Sequence, residues 1–130
     1  MLNITKTETD LYDNVLALET YGDNSPGEQS LPIFLEHVKI WPNTTGYFPT
    51  TVLDAGCASG KGGVALKKAG FEPTLCDLTP TGLTEEAQKL PFYTVCLWKP
   101  ILRQIRASIT GGAFDYVYCC DVLEHLPPQF

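Results

Sequence analysis

Residues 52–60, Val-Leu-Asp-Ala-Gly-Cys-Ala-Ser-Gly, constrain this chain more than any other stretch. Val52 and Leu53 read as the end of a buried strand, and Asp54 places a carboxylate where that strand stops. Gly56 and Gly60 allow a turn in which backbone passes close to a ligand, and a helix-like run from Gly62 to Ala69 follows at once. Strand, glycine turn and helix together aim free backbone N–H groups and a helix N-terminus at a small molecule. A carboxylate entering that turn repels a phosphate and favours a cationic or amine-bearing ligand.

Three glycine-loop patterns compete for these residues. A phosphate loop needs four residues between its glycines, then Lys and Ser or Thr. Here three intervene (Cys57, Ala58, Ser59), and Lys61 is followed by Gly62. A G-x-G-x-x-G fingerprint is interrupted by Ala58, although the spacing Gly56, Gly60, Gly62 resembles short-chain dehydrogenases. The third pattern, D-x-G-x-x-x-G, is met by Asp54, Gly56 and Gly60. It resembles class I S-adenosylmethionine-dependent methyltransferases, in which the central position, here Ala58, is often Gly.

Two later segments strengthen that resemblance. Residues 74–78, Thr-Leu-Cys-Asp-Leu, read as a second strand ending in an acid. Asp77 lies 23 residues after Asp54, close to the ~20-residue offset at which an acid takes ribose hydroxyls. That contact alone does not separate adenosylmethionine from NAD. Residues 114–126, Phe-Asp-Tyr-Val-Tyr-Cys-Cys-Asp-Val-Leu-Glu-His-Leu, resemble the F-D-x-V and x-L-E-H run of methyltransferases. The resemblance covers roughly residues 50–126 and is silent on the methyl acceptor.

The resemblance implies roles residue by residue. Asp54 sits beneath the turn and helps receive the methionine amine. Gly56, Ala58 and Gly60 form the loop against the cofactor, and Asp77 takes the two ribose hydroxyls. Leu78 covers one adenine face. Cys96 and Leu97 flank the adenine edge, where the family often has Asp, and Cys120 lies beside the methionine portion. Helices upstream of the first strand often close over the cofactor in this family, which makes Tyr21 and Gln29 candidates for that contact. The implied activity is methyl transfer to a small-molecule acceptor, with S-adenosyl-L-methionine as cofactor. A non-catalytic cofactor-binding module and an NAD-dependent dehydrogenase fragment are the alternatives.

The rest of the chain supplies a regular order. Ser25-Pro-Gly-Glu28 reads as a capping box with Pro at the first helical position. Pro32 leaves open one continuous helix or a restart near Ser30. The pattern then gives strands near 51–54, 73–77, 92–98 and 114–120. Helices are expected at 61–69, after Thr79-Pro80, and over Ile101 to Ile109. Alternating strands and helices predict a Rossmann-like doubly wound α/β fold with a parallel sheet in the order 3-2-1-4. The expected division is an N-terminal helical segment, 1–48, and a cofactor-binding domain, 49–130. Because the chain stops at Phe130, the sheet is expected to be truncated after its fourth strand.

Composition narrows the partners. The formal net charge is −6 with nine Lys and Arg, which disfavours nucleic acid. No apolar run reaches the ~18 residues of a membrane span, and no leader opens the chain. A cytoplasmic location is therefore expected. The five cysteines have no paired spacing and read as thiols of the cell interior. Four strand ends carry them, at Cys57, Cys76, Cys96 and Cys119–Cys120. Small apolar packing there is favoured over a metal or redox cluster.

In the tail, Asp121, Glu124 and His125 would share a helix face if a helix began at Asp121. The D-x-x-E-H pattern resembles ubiquinone-type O-methyltransferases, but an acidic capping pair explains it without a metal, and none is expected. Lastly, the fourth strand lacks Lys, Arg and Pro. An open edge there would favour a homodimer or a completing chain.

Overall fold

The computed structural model describes residues 4–18, 25–39, 50–97, 99 and 114–123. Three helices lead: α1 (Ile4–Leu16), α2 (Pro26–Gln29) and α3 (Leu31–Val38). After them come β1 (Thr51–Ala55), α4 (Lys61–Lys68), β2 (Glu72–Asp77), a 3-10 turn (Ala87–Lys89), β3 (Phe92–Thr94) and β4 (Tyr116–Tyr118). The strands form one sheet in the order β3-β2-β1-β4, and every pair is parallel. This is the predicted order.

β1 is central, and its side chains alternate between two buried faces. Leu53 and Ala55 join Cys76 and Val95 on one face. Val52 joins Leu66 of α4 and Tyr118 of β4 on the other. Val52, Leu66, Leu75 and Cys76 have the largest fully buried side chains. Each such aliphatic side chain contributes roughly 1.5–3 kcal/mol of burial.

The ends of α4 are set by sequence. Gly60 precedes it in left-handed backbone, φ 74°. At the other end Phe71 N–H donates to Leu66 O and Gly70 N–H to Lys67 O, at 3.1 and 3.0 Å. That double bond is a Schellman closure, and it turns the chain straight into β2. Lys67 and Lys68 occupy the last turn, where the helix dipole favours cations.

The N-terminal helices pack onto the same layer. The Ser25 hydroxyl accepts the Glu28 N–H at 3.3 Å, and the helix restarts at Ser30, so α2 and α3 are separate. Gly27 meets Gly62 backbone to backbone: a Cβ built on Gly27 would lie 3.3 Å from the Gly62 Cα. The Tyr118 hydroxyl donates to the Gly27 carbonyl. Phe34 of α3 stacks edge-on against Phe71, Tyr116 and Tyr118, with ring centroids 5.2–5.5 Å apart.

Asp115 fastens β4 to the start of β1. Its Oδ2 accepts from Thr50 N–H, Thr51 N–H and the Thr51 hydroxyl at 2.8–3.0 Å. On the far side of β4, Val117 is 65% exposed.

Three expectations change. The helix proposed after Thr79-Pro80 is instead a set of turns ending in the short 3-10 segment. Its cap position is Glu86, and the Thr84 hydroxyl accepts the Ala87 N–H at 3.3 Å. The third strand ends at Thr94 and the fourth spans only 116–118. Beyond Thr94 one more ladder bond, Val95 N–H to Asp77 O at 2.8 Å, carries the chain to the site. The helix expected over 101–109 lies outside the described residues.

Candidate functional site

The C-terminal ends of β1 and β2 lie side by side, with Ala55 opposite Cys76. Two turns leave the sheet there, and an acid stands at each strand end, Asp54 next to last in β1 and Asp77 last in β2. Asp54 is 5% exposed and Asp77 6%.

The turn after β1 is tight. Gly56 and Cys57 both donate their N–H to the Cys76 carbonyl, at 2.8 and 3.1 Å, and Gly60 N–H closes onto Cys57 O at 2.7 Å. Gly56 and Gly60 both have φ 74°. A Cβ at Gly60 would overlap the Ala87 Cβ, and one at Gly56 would overlap the Val122 side chain. These glycines are therefore demanded by the protein's own packing as well as by backbone conformation. Ala58 also takes positive φ, 45°, a conformation that glycine adopts without strain. An alanine held there is strained by about 1 kcal/mol.

The two acids differ in what surrounds them. Asp77 Oδ2 accepts the Ala58 N–H at 2.8 Å, and its Oδ1 accepts the Leu78 N–H at 2.7 Å. The carboxylate thus bridges the two turns. Burial raises its pKa, and those two N–H groups oppose the rise. Asp54 Oδ2 is buried with no hydrogen-bond partner among the described residues. It points at the first turn of α4, where Cβ atoms on Gly62 and Gly63 would lie 3.5 and 3.2 Å from it. Burial, and then the charge of Asp77, pushes its pKa up to about 7; the nearby Gly63 N–H works in the opposite direction without completing a bond to Oδ2.

The remaining candidates spread around this centre. Leu78 is buried directly after Asp77, and Cys96 is buried beyond β3. Leu97 is half-buried and approaches Gly56, its Cδ1 3.5 Å from a Cβ built there. Cys120 packs against the Val52–Leu66–Tyr118 cluster. Gln29 is exposed on α2, and Tyr21 lies outside the described residues.

The cysteines are thiols. Burial raises the pKa of Cys57 strongly and pushes Cys76 up to about 12, so neither supplies a thiolate at neutral pH. Both belong to apolar clusters. Among the described residues no group of three His, Cys, Asp or Glu side chains could hold a metal. Asp121 has φ 51°, so an α-helix does not begin with it. Glu124 and His125 lie outside the described residues.

Several structural partners of the site have no sequence motif. Val122 fills the space beneath Gly56, and Ala87 that beside Gly60. Asp13 of α1 holds the loop after Asp77 through Thr79 and Thr81. These contacts join residues up to 68 positions apart, and no local spacing announces them.

The parallel sheet in the order 3-2-1-4, the glycine turn and the paired strand-end acids define a Rossmann-like doubly wound domain. Residues 53–130 match the Methyltransferase domain family, and the chain belongs to that family. It is 28% identical, over 98% of its length, to a ubiquinone biosynthesis O-methyltransferase of Actinobacillus pleuropneumoniae serotype 7 (strain AP76). It spans only 56% of that relative. The co-crystal structure of WbdD with a kinase inhibitor shares the fold, with TM-score 0.50 and 22% identity over 68% of this chain and 21% of that one. No helix among the described residues is long and apolar enough to cross a membrane.

Proposed function

We propose that this chain holds S-adenosyl-L-methionine at the ends of β1 and β2 and takes part in methyl transfer to a small-molecule acceptor. The observation that carries the reading is Asp77, a buried carboxylate bridging the Ala58 and Leu78 N–H groups. Each of its oxygens keeps a lone pair for a ribose hydroxyl. The unpartnered Asp54 Oδ2 supports a cationic ligand, because a positive charge nearby stabilises the ionised acid. Leu78 offers an apolar surface to a base, and Cys96 supplies no carboxylate at the adenine edge.

When bound, this cofactor supplies a methyl group already activated on a sulfonium. The residues of the chain are left to bind, orient and exclude water. The likeness to an O-methyltransferase supports a hydroxyl oxygen as acceptor. Family membership favours this reading over a dehydrogenase fragment.

Titration calorimetry with adenosylhomocysteine and with NAD tests it. Adenosylhomocysteine should bind and NAD should not. Asp77→Ala should weaken binding roughly ten- to a hundredfold, from charged hydrogen bonds of about 1.5–3 kcal/mol. No binding by the unaltered chain, or unchanged affinity in Asp77→Ala, would sink the proposal.

A further inference from the structure

α1 touches the loop after β2 at two points, one turn apart on the same helical face. Asp13 Oδ1 accepts from the Thr79 hydroxyl at 2.6 Å and the Thr81 hydroxyl at 2.5 Å. Leu16 lies on Gly82, where a Cβ would come within 3.0 Å of the Leu16 Cδ2. The Thr79 hydroxyl also accepts the Thr81 N–H at 3.3 Å. Each hydroxyl has one proton to give, and both protons point to the same carboxylate. Their own oxygens, 2.9 Å apart, are drawn together by it. The loop is folded into a tight turn around an acid that comes from elsewhere in the chain.

That loop starts at the site. Thr79 is 5% exposed and follows directly on Asp77 and Leu78. The Leu78 N–H is one of the two bonds that fix the Asp77 carboxylate. A shift at Thr79 therefore moves the Leu78 backbone and loosens Asp77. Further along, the Thr84 N–H donates to the Ser59 carbonyl at 3.0 Å, but among the described residues Asp13 is what the Thr79 and Thr81 hydroxyls hold outside their own loop.

We infer that Asp13 is a positioning residue for ligand binding. It holds the turn after β2 in the shape that presents Asp77 and Leu78 to an adenosine moiety. The inference rests on the cofactor reading above. It makes affinity at the sheet edge depend on a helix that precedes the matched family region.

Calorimetry with adenosylhomocysteine, alongside thermal melts, tests it on the full chain. Asp13→Ala should bind roughly fivefold or more weakly, the usual lower end of coupling between distant groups. Asp13→Asn keeps an oxygen that accepts both hydroxyls and should restore affinity to within about twofold. Thr79→Val should match Asp13→Ala, and the double variant should be no worse than either single one. A purely structural role would lower the melting temperature and leave the affinity of the folded protein unchanged. That result in Asp13→Ala overturns the inference while the cofactor reading stands. Should Asp13→Ala fail to fold, Thr79→Val decides by the same criterion. If the unaltered chain binds no adenosylhomocysteine, both readings fall together.

Discussion

The acids that end β1 and β2 sit on neighbouring strands and are almost equally buried, yet they are treated in opposite ways. Asp77 has a backbone N–H on each oxygen. Asp54 has an oxygen with none. The turns that follow them differ too. The turn after β1 is sealed from within by glycines against Ala87 and Val122. The turn after β2 is gripped from outside by Asp13 and Leu16. The comparison teaches that one turn is bent by its own glycines and closed by apolar packing, whereas the other takes its shape from polar bonds to a distant helix. It also separates an acid whose two oxygens both have protein partners from one whose Oδ2 has none among the described residues.

The largest expected loss of stability comes from breaking the glycine frame. Gly60→Ala adds a Cβ on top of Ala87 in left-handed backbone. Overpacking and conformational strain together should cost about 3 kcal/mol. Chemical denaturation should show it as a lower midpoint. A loss under about 1 kcal/mol would mean that the 3-10 segment yields, and that the frame is less rigid than its packing implies.

A second change sharpens the contrast between the acids. Asp54 titrates near pH 7 when folded, against an ordinary value of 3.8. Between those values the folded state holds a proton that the unfolded chain has lost. Stability therefore falls as pH rises through that window, and the full penalty is present above it. Asp54→Asn removes the penalty. The variant should match the parent near pH 4 and exceed it by up to roughly 4 kcal/mol near pH 8, at about 1.4 kcal/mol for each pH unit of the window. A pH-independent difference would show that Asp54 is ionised and satisfied.

The smallest effect concerns Ala58. Glycine at this position loses the left-handed strain and gains unfolded-state entropy, which nearly cancel. Ala58→Gly should change stability by less than about 1 kcal/mol, and it keeps the N–H that Asp77 accepts. A larger gain would mean that the alanine stores more strain in the glycine turn than its φ alone implies.

The sheet was legible because its signals are local. Val52 and Leu53, the glycine turn, Gly70 and the acid of Asp77 each sit within a few residues of what they determine. The Asp115 pattern was legible only by resemblance. Its physical reason, three bonds to Thr50 and Thr51, spans 64 or 65 residues. The segment after Thr79 misled because Thr-Pro is a common helix start, and Thr79 spends its hydroxyl on Asp13 instead. Val122 and Ala87 could not be read as site residues at all. They are ordinary apolar side chains, and only the chain's path puts them against Gly56 and Gly60.

The hydroxyl of Tyr118 on the Gly27 carbonyl carries a consequence for the order of assembly. These two residues are 91 positions apart, whereas β1 and β2 pair across 21. Closing the longer span costs roughly 1 kcal/mol more in chain entropy. The donating side chain is also in place only once β4 has been laid beside β1. Residues 25–38 precede the whole sheet in the chain; Gly27 and Phe34 can meet Gly62 and Phe71 early, but their contacts with Tyr116 and Tyr118 must wait until the last described strand is home. The short helix that braces the first turn of α4 is thus fastened in part by a hydrogen bond that can form only after the fourth strand is in place.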